Sequence, residues 1–163
     1  MCRAGGAGQL SMRRSIATLA LALSTLTVTA VAAQTDAGPR ATLIVSLVGM
    51  RNDGGTVRCT AFGSRDGFPS DTGRAAARAQ GTPRSGGAAC RFEDLAPGAY
   101  AVSVHHDEDG DGVFDTGIFG IPLEGVGASR DAHGTMGPPS FEDARIDVPT
   151  GESRIVVHVA YPM

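Results

Sequence analysis

The sequence contains no lysine, so arginine and histidine supply all of its basic side chains. Three of the 14 arginines lie within residues 1–33, which hold no acidic residue. The remainder therefore carries 11 arginines against 17 aspartates and glutamates, a net charge of −6. Such an acidic surface repels nucleic-acid phosphates and anionic lipid headgroups, so it argues against both as partners.

Long apolar runs are absent after residue 33. Before it, Met12-Arg13-Arg14 precedes a stretch rich in Leu and Ala that ends in Val31-Ala32-Ala33. This is typical of a secretory signal peptide, here behind an eleven-residue extension. The alternative is a membrane anchor, but Thr and Ser interrupt the run, and a spanning helix needs about 20 apolar residues. We expect an exported protein, periplasmic or extracellular, with no membrane span once residues 1–33 are removed.

Cysteine is scarce, with three residues in the chain. Cys2 belongs to the region expected to be cleaved, which leaves Cys59 and Cys90 on apolar strand faces. A pair of cysteines in an exported protein predicts one disulfide; the alternative is two free buried thiols. The bridge would close a loop of about 30 residues and stabilise the fold by roughly 3.5 kcal/mol.

Long helical patterns and internal repeats are missing too, while alternation of apolar and polar residues marks six strands. They cover residues 41–50, 56–64, 88–95, 100–106, 141–148 and 153–162. This pattern predicts an all-β fold, a two-sheet antiparallel β-sandwich of about seven strands, as one domain over 41–162 behind a flexible tail at 34–40.

The connections between these strands carry two further expectations. The first two strands, joined by a turn at 51–55, should form an antiparallel hairpin. Residues 65–87 should make a surface excursion with Phe68 against the core, although a short helix started by an aspartate cap is an alternative there.

One long irregular segment, 107–140, contains a cluster of carboxylates. Asp107, Asp109, Asp111 and Asp115 occupy positions 1, 3, 5 and 9 of a D-x-D-x-D-G pattern typical of calcium loops. Gly112 permits the sharp turn, and the Val113 carbonyl can add a ligand. Ca²⁺ takes six to eight oxygens, and without a cation two unit charges about 5 Å apart repel by roughly 3 kcal/mol at an effective dielectric near 20. The spacing therefore predicts a Ca²⁺ site, with a solvated acidic loop as the alternative.

This loop differs from an EF-hand, because Ile118 stands where the last glutamate ligand belongs and a strand precedes it. Glu108 or Glu124 could supply the missing ligand, and Glu124 joins the candidate set. His105 and His106 should point to opposite faces of their strand. A transition-metal site using one of them with His133 or His158 is therefore less favoured than a strand-end histidine bonded to the loop.

The stretch "VHHDEDGDGVFDTGIFGIPLEGVGAS", followed by "GPPSFEDARIDV", resembles the exported bacterial family catalogued as domain of unknown function 2141. The shared features are a strand ending in His-Asp, an acidic loop, Gly-Ile-Pro, a Glu-Gly pair, a serine, and a Pro-Ser-Phe-x-x-Ala strand. The resemblance covers about residues 41–162 and departs at Arg130, where Asn often follows the serine. It implies a transthyretin-like or carboxypeptidase-regulatory-like β-sandwich in the cell envelope, and it implies no activity.

No catalytic constellation emerges from the sequence. Gly125-Val126-Gly127 lacks the strand and helix of a dinucleotide site. Ser129, Asp131 and His133 hold the residue types of a hydrolase triad, but neighbours on one loop rarely give its geometry. The favoured hypothesis is a non-enzymatic, calcium-stabilised module that binds an envelope protein or glycan or has a structural role.

The alternative hypothesis is a metal-dependent hydrolase. In it, Asp107, Asp111 and Glu124 hold the metal, and His106 or Glu108 acts as the base. Such an enzyme needs an open coordination position that faces a pocket.

Overall fold

The computed structural model describes residues 38–135 and 137–161, so the expected signal peptide and residues 34–37 lie outside the described residues. Residues 38–40 are exposed and have no regular structure. The described residues contain eight strands: β1 (Ala41–Val48), β2 (Thr56–Phe62), β3 (Ala77–Gly81), β4 (Gly87–Leu95), β5 (Gly98–Asp107), β6 (Gly125–Ala128), β7 (Arg145–Val148) and β8 (Gly151–His158). They also contain a one-turn helix, α1 (Phe141–Ala144), and short 3-10 turns at Thr72–Arg74, Ile118–Gly120 and Ser129–Asp131.

The strands form two sheets. One has the order β4-β1-β8, and the other has the order β3-β2-β5-β6, with β7 also paired to β5. The short strands β7 and β6 share one side of β5, opposite Gly98–Ala101 and Ser103–His106 respectively. The expected all-β two-sheet sandwich is confirmed. Its ladders are antiparallel except for β1 with β8, which run parallel over their full length.

The predicted hairpin between the first two strands is wrong. β1 pairs with β4 and β8, whereas β2 pairs with β3 and β5, so the turn at 51–55 crosses from one sheet to the other. Sheets packed face to face lie about 10 Å apart, a gap that five residues span easily. Both strands still bury the predicted apolar faces, because those faces meet across the sandwich.

The prediction of a strand over 141–148 is wrong for the first four residues, because they form α1. The Ser140 hydroxyl accepts a hydrogen bond from the Asp143 amide, which caps the helix, and only Arg145–Val148 is a strand. Two strands were also missed. β3 lies in the expected surface excursion, after a 3-10 turn capped by Asp71, and β6 is too rich in glycine to show alternation.

The core lies between the sheets, and the Cys59–Cys90 disulfide crosses it. The bridge joins β2 in one sheet to β4 in the other, with a Cα–Cα distance of 6.3 Å, so the predicted pairing is confirmed. Phe68 packs where expected, against a small second cluster built on Ala101, Ala128 and Ala144.

No helix within the described part of the chain is long and apolar enough to cross a membrane.

Candidate functional site

The acidic loop, residues 107–124, begins where β5 ends at a buried carboxylate. Asp107 is 0% exposed. Its Oδ1 accepts from the Gly110 amide at 2.9 Å, and its Oδ2 accepts from the Gly112 amide at 3.1 Å and from Arg58 Nε at 2.9 Å. Gly112 has φ +81°, a left-handed conformation that favours glycine and turns its N–H toward Asp107. Asp107 therefore organises the first turn of the loop.

A second buried carboxylate closes the loop from its other end. Glu124 precedes β6 and is 5% exposed. Its Oε1 accepts from the Glu108 amide at 3.0 Å, while Oε2 accepts from the Asp115 amide at 3.2 Å and from His105 Nε2 at 2.5 Å. One side chain thus joins the start, the middle and the end of the loop to β5.

Three carboxylates of the loop approach one another closely. Asp107, Asp109 and Glu124 each offer an oxygen, and these oxygens all lie within 4.8 Å of one another. Ligand oxygens on a common Ca²⁺ lie at about 2.3–2.6 Å from the ion, so they are separated by about 5 Å at most. This oxygen set therefore fits around one hard cation.

Two further predicted ligands, Asp111 and Asp115, lie outside this group of three. The Asp111 carboxylate accepts from the Val113 amide at 2.7 Å, and it stands with Asp115 outside the close set. Two glutamates were considered for the missing ligand, and the fold brings Glu124 close to Asp107. Glu108 instead accepts a hydrogen bond from Asn52 Nδ2 at 2.9 Å and forms an ion pair with Arg51.

Burial and hydrogen bonding act in opposite directions on the two buried carboxylates. Burial by itself would raise the pKa of Asp107, but hydrogen bonds from Arg58, Gly110 and Gly112 outweigh it and lower the pKa. Burial likewise acts to raise the pKa of Glu124, and hydrogen bonds from His105 and two backbone amides reverse the effect. Both carboxylates are therefore ionised at neutral pH.

The pKa of Asp115 is shifted in the opposite direction, upward. Burial raises the pKa of its carboxyl, and so does repulsion from Asp111, Glu124 and Asp109. Negative charge at the centre of the loop is thus only partly balanced by the protein, and a cation held by the three carboxylates would lower this repulsion.

His106 has a structural position. Its ring is 0% exposed, with Nε2 donating to the Gly54 carbonyl at 2.9 Å and Nδ1 accepting from the Tyr161 hydroxyl at 2.6 Å. His105 lies on the other face of β5 and bonds to Glu124 of the loop, as expected for a strand-end histidine.

A second charged cluster, which the sequence did not reveal, is built on Arg51. Arg51 forms a two-point ion pair with Glu108, its Nη2 donates to the Leu123 carbonyl at 3.2 Å, and its guanidinium lies 4.6 Å from the centre of the Tyr161 ring. The hydrogen bond from Arg51 is the main reason that the pKa of Glu108 is lowered. An arginine in a polar turn gives no sequence signal for contacts this distant.

A groove of about 1200 Å³ lies beside the acidic loop, on the outer face of the larger sheet; we call it the outer groove. Its floor consists of outward side chains of three adjacent strands: Arg58 and Thr60 of β2, Arg78 and Gln80 of β3, and Ser103 and His105 of β5. Phe114, Phe119 and Ile121 of the acidic loop form one wall. The sequence did not reveal it, because its residues come from separate strands.

Ser129, Asp131 and His133 do not form a triad. The Ser129 hydroxyl is buried, accepts from the Val102 amide at 2.9 Å and donates to the Ala144 carbonyl. Asp131 accepts from the backbone amide and from Nδ1 of His158, both at 2.8 Å. The serine therefore joins β5 to α1.

The family model described as "Uncharacterized protein conserved in bacteria (DUF2141)" matches residues 45–156, the greater part of the chain. The match includes the acidic loop and both bridged cysteines, and it confirms the resemblance found in the sequence. No curated protein and no solved structure matches the chain.

Proposed function

Because the chain belongs to this uncharacterised bacterial family, we propose that it is an exported β-sandwich module, stabilised by Ca²⁺ at the acidic loop, with a binding or structural role in the cell envelope. The observation that carries the proposal is the convergence of Asp107, Asp109 and Glu124 oxygens within 4.8 Å. The N-terminal signal pattern and the disulfide support export, since disulfides persist in oxidising compartments.

The donor set favours calcium over other metals. Carboxylate oxygens are hard ligands that suit Ca²⁺ or Mg²⁺ and make a poor zinc site. Ca²⁺ accepts irregular geometry and completes its shell with carbonyls and water, whereas Mg²⁺ demands near-ideal octahedral geometry. Extracellular calcium sites bind at about 0.1–1 mM, which is the range expected for a loop whose carboxylates also accept hydrogen bonds from the protein.

A binding role is supported better than the metal-dependent hydrolase. Both candidate bases of the hydrolase already have partners: the two ring nitrogens of His106 are hydrogen-bonded, and Glu108 is held by Arg51 and Asn52. Asp111, its third metal ligand, stands outside the close set of carboxylates. The groove beside the loop would meet the hydrolase's need for a pocket, but both candidate bases are held by other residues; the same groove offers an open surface for a partner.

The test is a thermal melt of the oxidised protein in EDTA and across a Ca²⁺ titration to about 10 mM, well above the expected dissociation constant. We expect the melting temperature to rise by several degrees, since binding to the folded state alone stabilises it. Asp109→Asn keeps an oxygen for the turn with the Asp111 amide but removes the charge, so it should abolish most of the rise.

Asp147→Asn is the matched control, because it makes the same change at an exposed carboxylate of β7, outside the loop. It should respond to calcium as the unmodified protein does. A flat titration would contradict the calcium site, as would an equal rise in Asp109→Asn or an equal response to zinc.

A further inference from the structure

We propose that the outer groove binds an extended acidic peptide segment of a partner protein, with its carboxylates on the groove floor and its apolar side chains against the walls. This inference rests on the proposed binding role and names the chemistry of the partner. It depends on the arrangement of three neighbouring strands, which the sequence pattern does not show.

The floor is a regular array of hydrogen-bonding side chains. The register of the sheet places Gln80, Arg58 and His105 in one cross-strand row and Arg78, Thr60 and Ser103 in the next. Arginine has five donors and no acceptor, and the other four residue types each add a donor. Thr60 is buried and His105 already donates to Glu124, so the two arginines and Gln80 supply most of the donors left for a ligand, and such a surface suits a ligand rich in acceptors.

Most of the titratable side chains that line the groove are basic. Two arginines and three histidines line it, and Asp131 is the single carboxylate among its described lining residues. That carboxylate already holds His158. Arg58 is paired with Asp107 and His105 with Glu124, whereas Arg78 donates to the Thr72 carbonyl, a neutral acceptor. Among the described residues, Arg78 is therefore the floor cation that no carboxylate balances, and it is the charged contact available to a negative ligand.

The walls are apolar and exposed. Phe119 is 96% exposed and Ile121 is 47% exposed at the end of the acidic loop, and Phe114 packs edge-on against the His105 ring with centroids 5.0 Å apart. Pro138 and Pro139 also line the groove. Large apolar side chains concentrated on one loop mark a surface that becomes buried on binding.

An extended peptide matches this combination of floor and walls. Successive side chains of a strand point to opposite sides, about 3.3 Å apart along the chain, so acidic residues can face the floor while apolar residues reach the walls. The hydroxyl groups of a neutral glycan can accept from the floor, but such a glycan has no acidic group for Arg78 and no apolar side chains for the walls. The carboxylates of an acidic glycan would accept hydrogen bonds from the floor side chains, but such a glycan has no apolar side chains to contact the walls.

The probe is a fluorescent octapeptide in which Glu alternates with Leu and Phe, titrated with the full-length oxidised protein and followed by anisotropy. The measurement is made at about 100 mM salt, once in EDTA, where calcium cannot bridge carboxylates, and once with calcium at about 10 mM, where the acidic loop is occupied. We expect saturable binding of this peptide and none of the same peptide with Lys in place of Glu. A galacturonic acid octamer should bind more weakly, because it has no apolar side chains.

Two substitutions test the floor and the wall separately. Arg78→Gln removes a charged donor and Phe119→Ser removes an exposed apolar side chain, and each should weaken peptide binding about tenfold. Arg154→Gln and Val156→Ser make comparable changes on exposed positions of β8, in the other sheet, and should leave binding unchanged. Thermal melts of all four variants verify that they are folded.

Several results would overturn the proposal. They are absence of peptide binding at about 1 mM protein, equal binding of the Lys peptide, tighter binding of the galacturonic acid octamer, or equal losses in the β8 variants. Peptide binding without a calcium effect on the melting temperature would leave the groove assigned and remove calcium from the proposed function. A calcium-dependent rise in melting temperature without any peptide binding would keep the calcium site and reject the groove.

Discussion

Gly125 has no room for a side chain. A Cβ placed there would lie 2.5 Å from a ring carbon of Tyr161 and 2.7 Å from Val159 Cγ1. The glycine of the Glu-Gly pair therefore lets β6 pack closely against the end of the chain, while Glu124 beside it folds back into the loop. The sequence shows the Glu-Gly pair but not why a glycine is needed there, because the contacting residues, Tyr161 and Val159, are more than 30 positions away.

Arg130 is held in a left-handed conformation, with φ +61°. Asn tolerates this backbone region better than other residues with a side chain do. We therefore predict that Arg130→Asn increases the free energy of unfolding by up to about 1 kcal/mol, measured by urea denaturation.

Arg154→Asn is the matched control, since it makes the same exchange on the regular strand β8. It should give no gain, because an extended backbone does not favour Asn. Equal stabilisation by both variants would show that backbone strain at Arg130 is not the cause.

At the scale of the element, the acidic loop is held by carboxylates that must be ionised. The pKa values of Asp107, Glu108 and Glu124 are lowered in the folded protein. Their stabilising contribution is present above the unfolded pKa and is lost as the pH falls through the folded pKa. Asp115 acts in the other direction, because its pKa is raised and its protonation on acidification relieves repulsion.

Three lowered pKa values against one raised value predict a net loss of stability in acid. In EDTA, the free energy of unfolding should fall as the pH is lowered from about 5 to about 3. Glu124→Gln should lower stability at neutral pH and should show a shallower acid slope, because it removes one of the groups that release protons on folding. Urea denaturation at a series of pH values measures both effects.

Glu142→Gln is the control for this series, because Glu142 is an exposed glutamate of α1 outside the loop. Its acid slope should match that of the unmodified protein. An acid slope in Glu124→Gln as steep as that of the unmodified protein would contradict the assignment.

The sequence predicted correctly those features that depend on residues close together in the chain. Alternation marked the strands that have one face in the core, and the aspartate spacing marked Asp107 and Asp109 correctly as neighbours. Alternation could not show that β1 and β2 lie in different sheets, because pairing partners are chosen by contacts between distant residues. For the same reason, Arg58 beneath Asp107 and the outer groove became visible only when β2, β3 and β5 were placed side by side.

At the scale of the whole molecule, the disulfide joins the two sheets. It closes a loop between Cys59 and Cys90, with a sequence separation of 31 residues. We predict that reduction lowers the free energy of unfolding by about 3.5 kcal/mol through the larger entropy of the opened unfolded chain. Urea denaturation with and without a phosphine reductant measures this loss.

The Cys59→Ala/Cys90→Ala variant provides the control for the reductant. It should be destabilised from the outset and should not respond to the reductant. Unchanged stability of the unmodified protein after complete reduction would show that the bridge does not restrict its unfolded state.

The parallel pairing of β1 with β8 has a mechanical consequence. The first and last of the described strands lie side by side in register, from Ala41 opposite Gly151 to Val48 opposite His158. Tension applied between the start of β1 and the end of β8 pulls the two strands in opposite directions along their length. Their backbone hydrogen bonds then bear the load together in shear and cannot open one at a time, so the sandwich resists stretching most strongly along the line that joins its own ends.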